Sequence, residues 1–324
     1  MYKIWIDTGL DANGVPLMTD IPYQASFPPL FYLSISPFAF LKLSPWSMRL
    51  VFFIADFLNL WLIYQLAGPK KVASLAYIFT PIVLIQGLII PEDEVLVATY
   101  LLASLYFFKK NRQRLSVFTL ALAFNHKIFP IVLLPLFLMN TVVKKTEKLL
   151  PKIDYKNLLK YCLIFIGTSA VFHAFYYPYW EVAYKIRLFE SLGHQSLWLL
   201  LPYTPRLNTL VVGILLLLFF LYSYVKKLDM TSNYLIGSLI FVTFYPSLSF
   251  EHLIMIVPLF LVFTEINQKT IAFWIIFSLM TLVTTPMPFP FTFPYDFWLP
   301  MMLLSFLGFY YIIFEQIKRS HYIL

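Results

Sequence analysis

The sequence predicts an all-α, polytopic transmembrane helix bundle of about 10–11 membrane segments, carried in a single domain over residues 1–324. Three observations predict it. Apolar residues make up 60% of the chain and charged residues only 12%, against roughly a quarter charged in ordinary soluble domains. Long apolar runs recur from one end to the other. The charges between the runs are sorted by sign into alternate loops. This composition excludes a disordered chain and a simple soluble enzyme. A lone cysteine, Cys162, excludes a disulfide framework and a Cys-built zinc site.

The elements follow in order. Residues 1–27 are polar and aromatic, without the apolar core of a signal peptide, and read as an outer loop. A weaker apolar stretch covers 28–41. Stronger runs cover 46–67, 72–90, 95–108, 115–143, 161–177, 209–225, 234–246, 253–264, 270–285 and 299–314. Each is continuously apolar, without the alternation of an outer-membrane barrel strand, so helix is the expected element. Some fall short of the roughly 20 residues that cross a bilayer upright, and Tyr and Trp at their flanks extend them into the interface. No internal repeat and no low-complexity linker is visible.

Charge supplies the orientation. Lys70, Lys71, Lys109, Lys110, Arg112, Arg114, Lys144, Lys145, Lys148, Lys152, Lys156, Lys160, Lys226, Lys227, Lys269, Lys318 and Arg319 fall in one set of alternate loops, which the positive-inside rule assigns to the cytoplasm. The opposite loops, 1–27, 91–94, 178–208, 247–252 and 286–298, hold Asp7, Asp11, Asp20, Glu92, Asp93, Glu94, Glu181, Glu190, Glu251 and Asp296. The net charge of +8 is therefore a topology signal, and no nucleic-acid partner is needed to explain it.

Three features strain the scheme. The run 115–143 begins and ends beside cytoplasmic bases, so it must be a hairpin; its arms, of about 11 and 15 residues, are short for full crossings, and Asn125, His126 and Lys127 lie between them. The stretch 28–41 is either a partial or interfacial helix, or Lys42 and Arg49 mark an extra cytoplasmic turn. An outer segment 1–27 also needs a preceding span to carry it across. The expectation is that the chain is N-terminally truncated or its start codon misassigned, which in-frame upstream sequence without an apolar run would contradict.

The acids and bases of the outer loops carry the candidate chemistry. Acidic groups near membrane-embedded helices could take a proton from a hydroxyl nucleophile, and Lys, Arg or His could neutralise a departing phosphate. Asp93, Glu94, Asp7 and Asp20 are the carboxylate candidates. Lys127, His126, Arg206, Arg187 and His252 are the phosphate-binding candidates. Asp7, Asp11, Asp20 and the triplet Glu92, Asp93 and Glu94 could hold Mg²⁺ or Mn²⁺ through hard oxygens, although no spacing demands a metal. Structural readings stand beside these. Lys127 could snorkel or pair with an acid. His173 reads as an interhelical hydrogen-bonding residue, and Asp56 with Asn59 as either a functional group or a polar pair between helices. No HExxH, Gly-rich phosphate loop or nucleotide-binding signature occurs.

Three stretches together resemble integral-membrane glycosyltransferases of the GT-C fold, in particular the polyprenyl (dolichyl)-phosphate-mannose-dependent mannosyltransferases. The first runs from Tyr2-Lys3-Ile4-Trp5 to Phe27-Pro28-Pro29-Leu30 and is similar to the family's first outer loop. The second joins Pro91-Glu92-Asp93-Glu94, Lys109-Lys110 and Asn125-His126-Lys127-Ile128-Phe129-Pro130. It resembles the family's acidic outer turn, basic inner turn and Lys-aromatic-Pro hairpin. The third, Tyr177-Pro178-Tyr179-Trp180 to Gln195-Ser196-Leu197-Trp198, resembles an outer loop ending in Ser-Leu-Trp, and Glu251-His252 with Pro258 echoes a late helix start. The family's catalytic Asp lies just ahead of the helix that Tyr2 to Trp5 resembles, at or before Met1 here.

The resemblance implies a GT-C-like helix bundle with helical outer loops. It implies inverting transfer of a sugar, mannose foremost, from polyprenyl phosphate to a lipid-linked or protein acceptor on the outer or lumenal face, with a carboxylate as base. Asp93 or Glu94 would stand near the sugar, and Lys127, His126 and Arg206 near the phosphate. The host membrane would be a prokaryotic plasma membrane, toward which abundant Lys, Ile, Tyr and Phe lean, or an endoplasmic reticulum. Two rival readings are a carrier or flippase for a lipid-linked saccharide and a non-catalytic membrane subunit. Carriers often show inverted repeats, and none is seen here.

Overall fold

A computed structural model describes residues 30, 33, 34, 37, 45–68, 71–84, 93–144, 152–176, 205–244, 252–265, 267–284 and 295–322. These residues are helical almost throughout. In chain order they form α1 (Pro45–Ala67), α2 (Lys71–Ile78), the single turn α3 (Pro81–Val83), α4 (Glu94–Lys109), α5 (Gln113–His126) and a 3₁₀ turn (Phe129–Val132). Then come α6 (Leu133–Val142), α7 (Tyr155–Tyr176), α8 (Pro205–Lys226), α9 (Met230–Phe244), α10 (Leu253–Phe263), α11 (Gln268–Thr284) and α12 (Tyr295–Tyr322). Val143–Lys144 and Lys152–Ile153 form a two-residue antiparallel pair, the β-structure among the described residues.

The helix ends follow local chemistry. Gly68, at φ 65°, closes α1 in the left-handed conformation that glycine adopts without strain. The turn after α4 places Asn111 at φ 56°, with Arg112 N–H donating to Phe107 O at 2.8 Å and Asn111 N–H to Phe108 O at 2.9 Å. The turn after α8 repeats this closure with Lys227 at φ 54°, and Leu228 N–H donates to Ser223 O. Asp154, Asp229 and Asn267 cap α7, α9 and α11, their side-chain oxygens accepting N–H bonds from Asn157, Ser232 and Thr270.

Burial orders the helices from inside to outside. α10 is buried from Leu253 to Val262, and α4 and α9 carry the next densest buried faces. α4 packs on α1, α5 and α10, while α9 packs on α6, α8 and α10. α11 packs on α12, where a Cβ on Gly308 would collide with the ring of Phe273. Small polar groups join helices through this apolar interior. Ser104 and Ser116 bond each other's backbone carbonyls across α4 and α5, and Ser104 Oγ also meets Tyr234 Oη of α9 at 2.9 Å. The flanking helices show large apolar side chains outward: Phe53, Phe57 and Trp61 on α1, Leu159, Leu163 and Ile166 on α7, and Leu217, Leu218 and Leu221 on α8.

The all-α class read from the sequence holds for the described residues, and the apolar runs coincide with helices. The segmentation is finer than the sequence suggests. Within 72–90, α2 ends before Pro81, whose missing N–H interrupts the helical ladder. The run 115–143 breaks between His126 and Leu133 around Pro130. Among the described residues, two helical segments are long and apolar enough to cross a membrane, Arg49–Ala67 and Tyr155–Ala174. Most of the stretch 28–41 lies outside the described residues, as do all of 1–27 and most of 178–208, the segments expected to form outer loops.

Candidate functional site

α4 opens at an acidic turn. Asp93 is its N-cap and Glu94 its first residue, so both carboxylates sit at the positive end of the helix dipole. α5 runs back alongside α4 from the basic turn and ends at His126, after which Lys127 turns extended at φ −145° and ψ 147°. The two helices have 16 and 14 residues, close to 24 and 21 Å at 1.5 Å per residue, so α5 nearly matches the height of α4. The hairpin arm read as short is thus long enough for its tip to reach the acidic turn.

Lys127 Nζ lies 3.1 Å from Asp93 Oδ1 and also donates to Glu94 Oε1. All three side chains are buried, at 9%, 1% and 0% exposure respectively. His252, just ahead of α10, places Nε2 3.8 Å from Glu94 Oε1. Two carboxylates therefore share one ammonium, and protonation of His252 would balance the group. Charges taken out of water this way are held by each other and by the helix start, and removal of one member leaves the others uncompensated. Glu94 Oε2 is buried without a hydrogen bond among the described residues, an acceptor position for a hydroxyl donor.

His126 shares the tip but faces elsewhere. Its Nε2 lies 3.3 Å from Ser34 Oγ and its ring stacks on Tyr100 at 5.3 Å between centroids. Asn125 donates from Nδ2 to Ala121 O at 2.7 Å and to Ser169 Oγ of α7 at 3.3 Å. His173 Nδ1 donates to Ser169 O one turn back in its own helix, at 2.7 Å, and its ring stacks on Phe124 of α5 at 5.9 Å between centroids. Farther along α1, Tyr77 Oη donates to Asp56 Oδ1 at 2.7 Å and accepts from Asn59 Nδ2 at 3.1 Å; Asn59 also reaches Val95 O. Asp56 and Tyr77 line an apolar crevice of about 110 Å³.

Of the residues singled out from sequence, Asp93, Glu94, Lys127 and His252 come together. His126 is adjacent, turned to Ser34 and Tyr100. Arg206 lies in the first turn of α8, and its side chain is outside the description; Asp7, Asp20 and Arg187 lie outside the described residues altogether. The described carboxylates of the acidic triplet take the ammonium of Lys127 as their cation, and no three His, Cys, Asp or Glu residues group as a metal set among the described residues. Sequence reasoning missed Ser34, Tyr77 and Tyr100, because a hydroxyl in an aromatic, apolar run carries no motif.

The opposite end of the same helices is basic. Lys109 Nζ, at the end of α4, donates to Leu66 O at the end of α1, at 3.2 Å, and Lys269 at the start of α11 pairs with Glu315 near the end of α12, at 2.7 Å. The buried cluster and the lysine-rich turns thus occupy opposite ends of α4 and α5. In comparisons with known proteins, no family model matches this chain and no curated protein is significantly similar to it.

Proposed function

We propose that this chain is a multi-pass membrane glycosyltransferase of the GT-C kind. It would move a sugar, mannose by the resemblance, from a polyprenyl-phosphate donor to a lipid-linked or protein acceptor on the outer or lumenal face. The observation that carries the reading is the junction of Lys127 with Asp93 and Glu94, at the helix ends away from the lysine-rich turns. Support for a membrane setting comes from the two long apolar helices and from the outward apolar faces of α1, α7, α8, α11 and α12. Opposed acidic and basic ends agree with the positive-inside rule.

In this reading the acceptor hydroxyl oxygen attacks the anomeric carbon, and the bond from that carbon to the phosphate oxygen breaks. The carboxylate takes the hydroxyl proton, and polyprenyl phosphate leaves with the bonding electron pair, inverting the anomeric centre. Lys127 pairs with both Asp93 and Glu94 in the unliganded cluster and makes them weak bases. A donor phosphate competes for the same ammonium. Its arrival would draw Lys127 away and uncover a carboxylate when a base is needed, while the ammonium stabilises the leaving phosphate.

The test is transfer of labelled sugar from polyprenyl phosphate into a new glycosidic bond by membranes containing the chain. Glu94→Gln and Asp93→Asn, which keep side-chain shape, are expected to lower transfer by at least roughly a hundredfold for whichever acid is the base. Absence of transfer by a form shown to carry its complete outer loop would refute the reading. A second reading, a carrier for lipid-linked saccharide, draws on the Asp56, Tyr77 and Asn59 group inside α1 and α2. It predicts movement of labelled lipid between leaflets with no new bond.

A further inference from the structure

At the basic end, the turn between α4 and α5 meets the end of α6 and the first turns of α7 around an open cavity of about 460 Å³. Arg112, Arg114 and Lys160 line it, with Gln113, Thr141 and Tyr161. We propose that this cavity binds the phosphate headgroup of an anionic phospholipid from the leaflet at the basic end, a site separate from the Lys127 cluster. The inference rests on the membrane part of the reading above and not on sugar transfer.

The three cations have no carboxylate partner among the described residues. Arg112 and Arg114 make no ion pair there, and Lys160 lies over the ring of Tyr161 at 5.4 Å. Among the described residues here, Asp154 accepts from the backbone N–H and the side-chain amide of Asn157. Like charges gathered around an open, hydrogen-bonding cavity suit a multiply accepting anion, and guanidinium groups match phosphate oxygens two at a time. The backbone adds to this. The cavity is lined by the first turn of α5, whose N-cap position is Arg112, a side chain with no acceptor to offer; the N–H groups of that turn carry no side-chain cap.

A lipid is favoured over free phosphate by what lies beside the cavity. Tyr155, Leu159, Leu163 and Ile166, exposed at 72, 62, 60 and 61%, recur along α7 on an apolar face roughly a third of a turn from Lys160 and turned away from Tyr161. Leu115, on the cavity wall itself, is also exposed. An acyl chain lying against Leu115 and Phe118, exposed at 41 and 40% at the start of α5, would leave its phosphate beside the two arginines and Lys160. Basic pockets between helices on the cytoplasmic side take anionic headgroups in this manner.

The experiment is native mass spectrometry of the purified full chain in neutral detergent, with phosphatidylglycerol and phosphatidylcholine offered in equal amount. The expected result is retention of phosphatidylglycerol over phosphatidylcholine. Combining Arg112→Ala, Arg114→Ala and Lys160→Ala is expected to weaken that retention on the order of a hundredfold, about fivefold per base. Lys226→Ala with Lys227→Ala, at a different basic turn, is expected to leave it unchanged. If the triple variant loses helical circular dichroism, the three single variants are compared, each with its fivefold loss. Equal retention of both lipids, equal retention by the variants, or full displacement by millimolar inorganic phosphate would overturn the proposal, the last by assigning a free-phosphate site. Retention needs no turnover, so its failure leaves the sugar-transfer reading intact, and absence of transfer leaves this one intact.

Discussion

Two lysine–carboxylate contacts sit at opposite ends of this helix bundle and differ in almost everything but their chemistry. Lys127 meets Asp93 and Glu94 where all three side chains are buried. Lys269 meets Glu315 at 2.7 Å with its side chain 54% exposed. The buried contact joins the start of α4 to the hairpin tip after α5, with its charges held out of water. The exposed contact links two helix ends at the surface, with Lys269 more open to water than Glu315, whose side chain is 23% exposed. Geometry alone would rank them together; burial separates them, because solvent and salt replace what the exposed pair loses.

The largest effect should come from Lys127→Met, which keeps the volume and removes the ammonium. It leaves two carboxylates facing each other out of water, and unfolding in detergent is expected to become easier by about 3–5 kcal/mol. Adding Asp93→Asn and Glu94→Gln should restore most of that loss, because the uncompensated charge is then gone. A Lys127→Met protein as stable as the wild type would mean that water reaches the cluster, and the comparison between the two ends would break.

An intermediate case sharpens it. Asp56, Tyr77 and Asn59 form a polar group that is neutral apart from one carboxylate, lying between α1 and α2. Tyr77→Phe removes the hydroxyl that serves both neighbours, and about 1–3 kcal/mol of stability should go with it, measured by the same unfolding assay. A loss as large as that of Lys127→Met would show that hydrogen bonding, not ion pairing, dominates buried polar groups here.

The smallest effect belongs to Lys269→Ala, for which no resolvable change in unfolding midpoint is expected at neutral pH. The hydrogen bond to Glu315, and secondarily the one to Tyr311, raises the Lys269 pKa above its ordinary 10.5. A raised folded-state value means that the contribution is fully present below pH 10.5 and fades as pH climbs through the higher folded value. Any stabilisation by Lys269 should therefore vanish in strong alkali and in molar salt, while the Lys127 cluster persists in salt. A salt-sensitive Lys127 contact beside a salt-resistant Lys269 contact would invert the comparison.

Much of this was legible along the chain. Continuous apolar runs specify helices, because backbone groups without water must bond within their own segment. The sorting of Lys and Arg from Asp and Glu specifies two opposed ends, since charge stays where water is. Pro81 and Pro130 mark breaks that a hydropathy reading passes over, although the missing N–H was there to be seen. The tip residues Asn125, His126 and Lys127 stood out because polar groups in an apolar run need partners.

Which partners they found was decided only in three dimensions. Lys127 and the Asp93–Glu94 turn are separated by two helices and a basic turn, and only the antiparallel packing of α5 on α4 joins them. His126 and Lys127 are neighbours in sequence, yet Lys127 joins the carboxylates while His126 turns to Ser34 and Tyr100, because the helix ends between them and the two side chains leave in different directions. The cavity of Arg112, Arg114 and Lys160 likewise depends on α6 and α7 returning to the α4–α5 turn. Sequence settles what each segment must bury or expose, a local matter of hydration and backbone bonding. Which segments do so against one another follows from packing, where side-chain shape chooses among many arrangements of equal hydrophobicity.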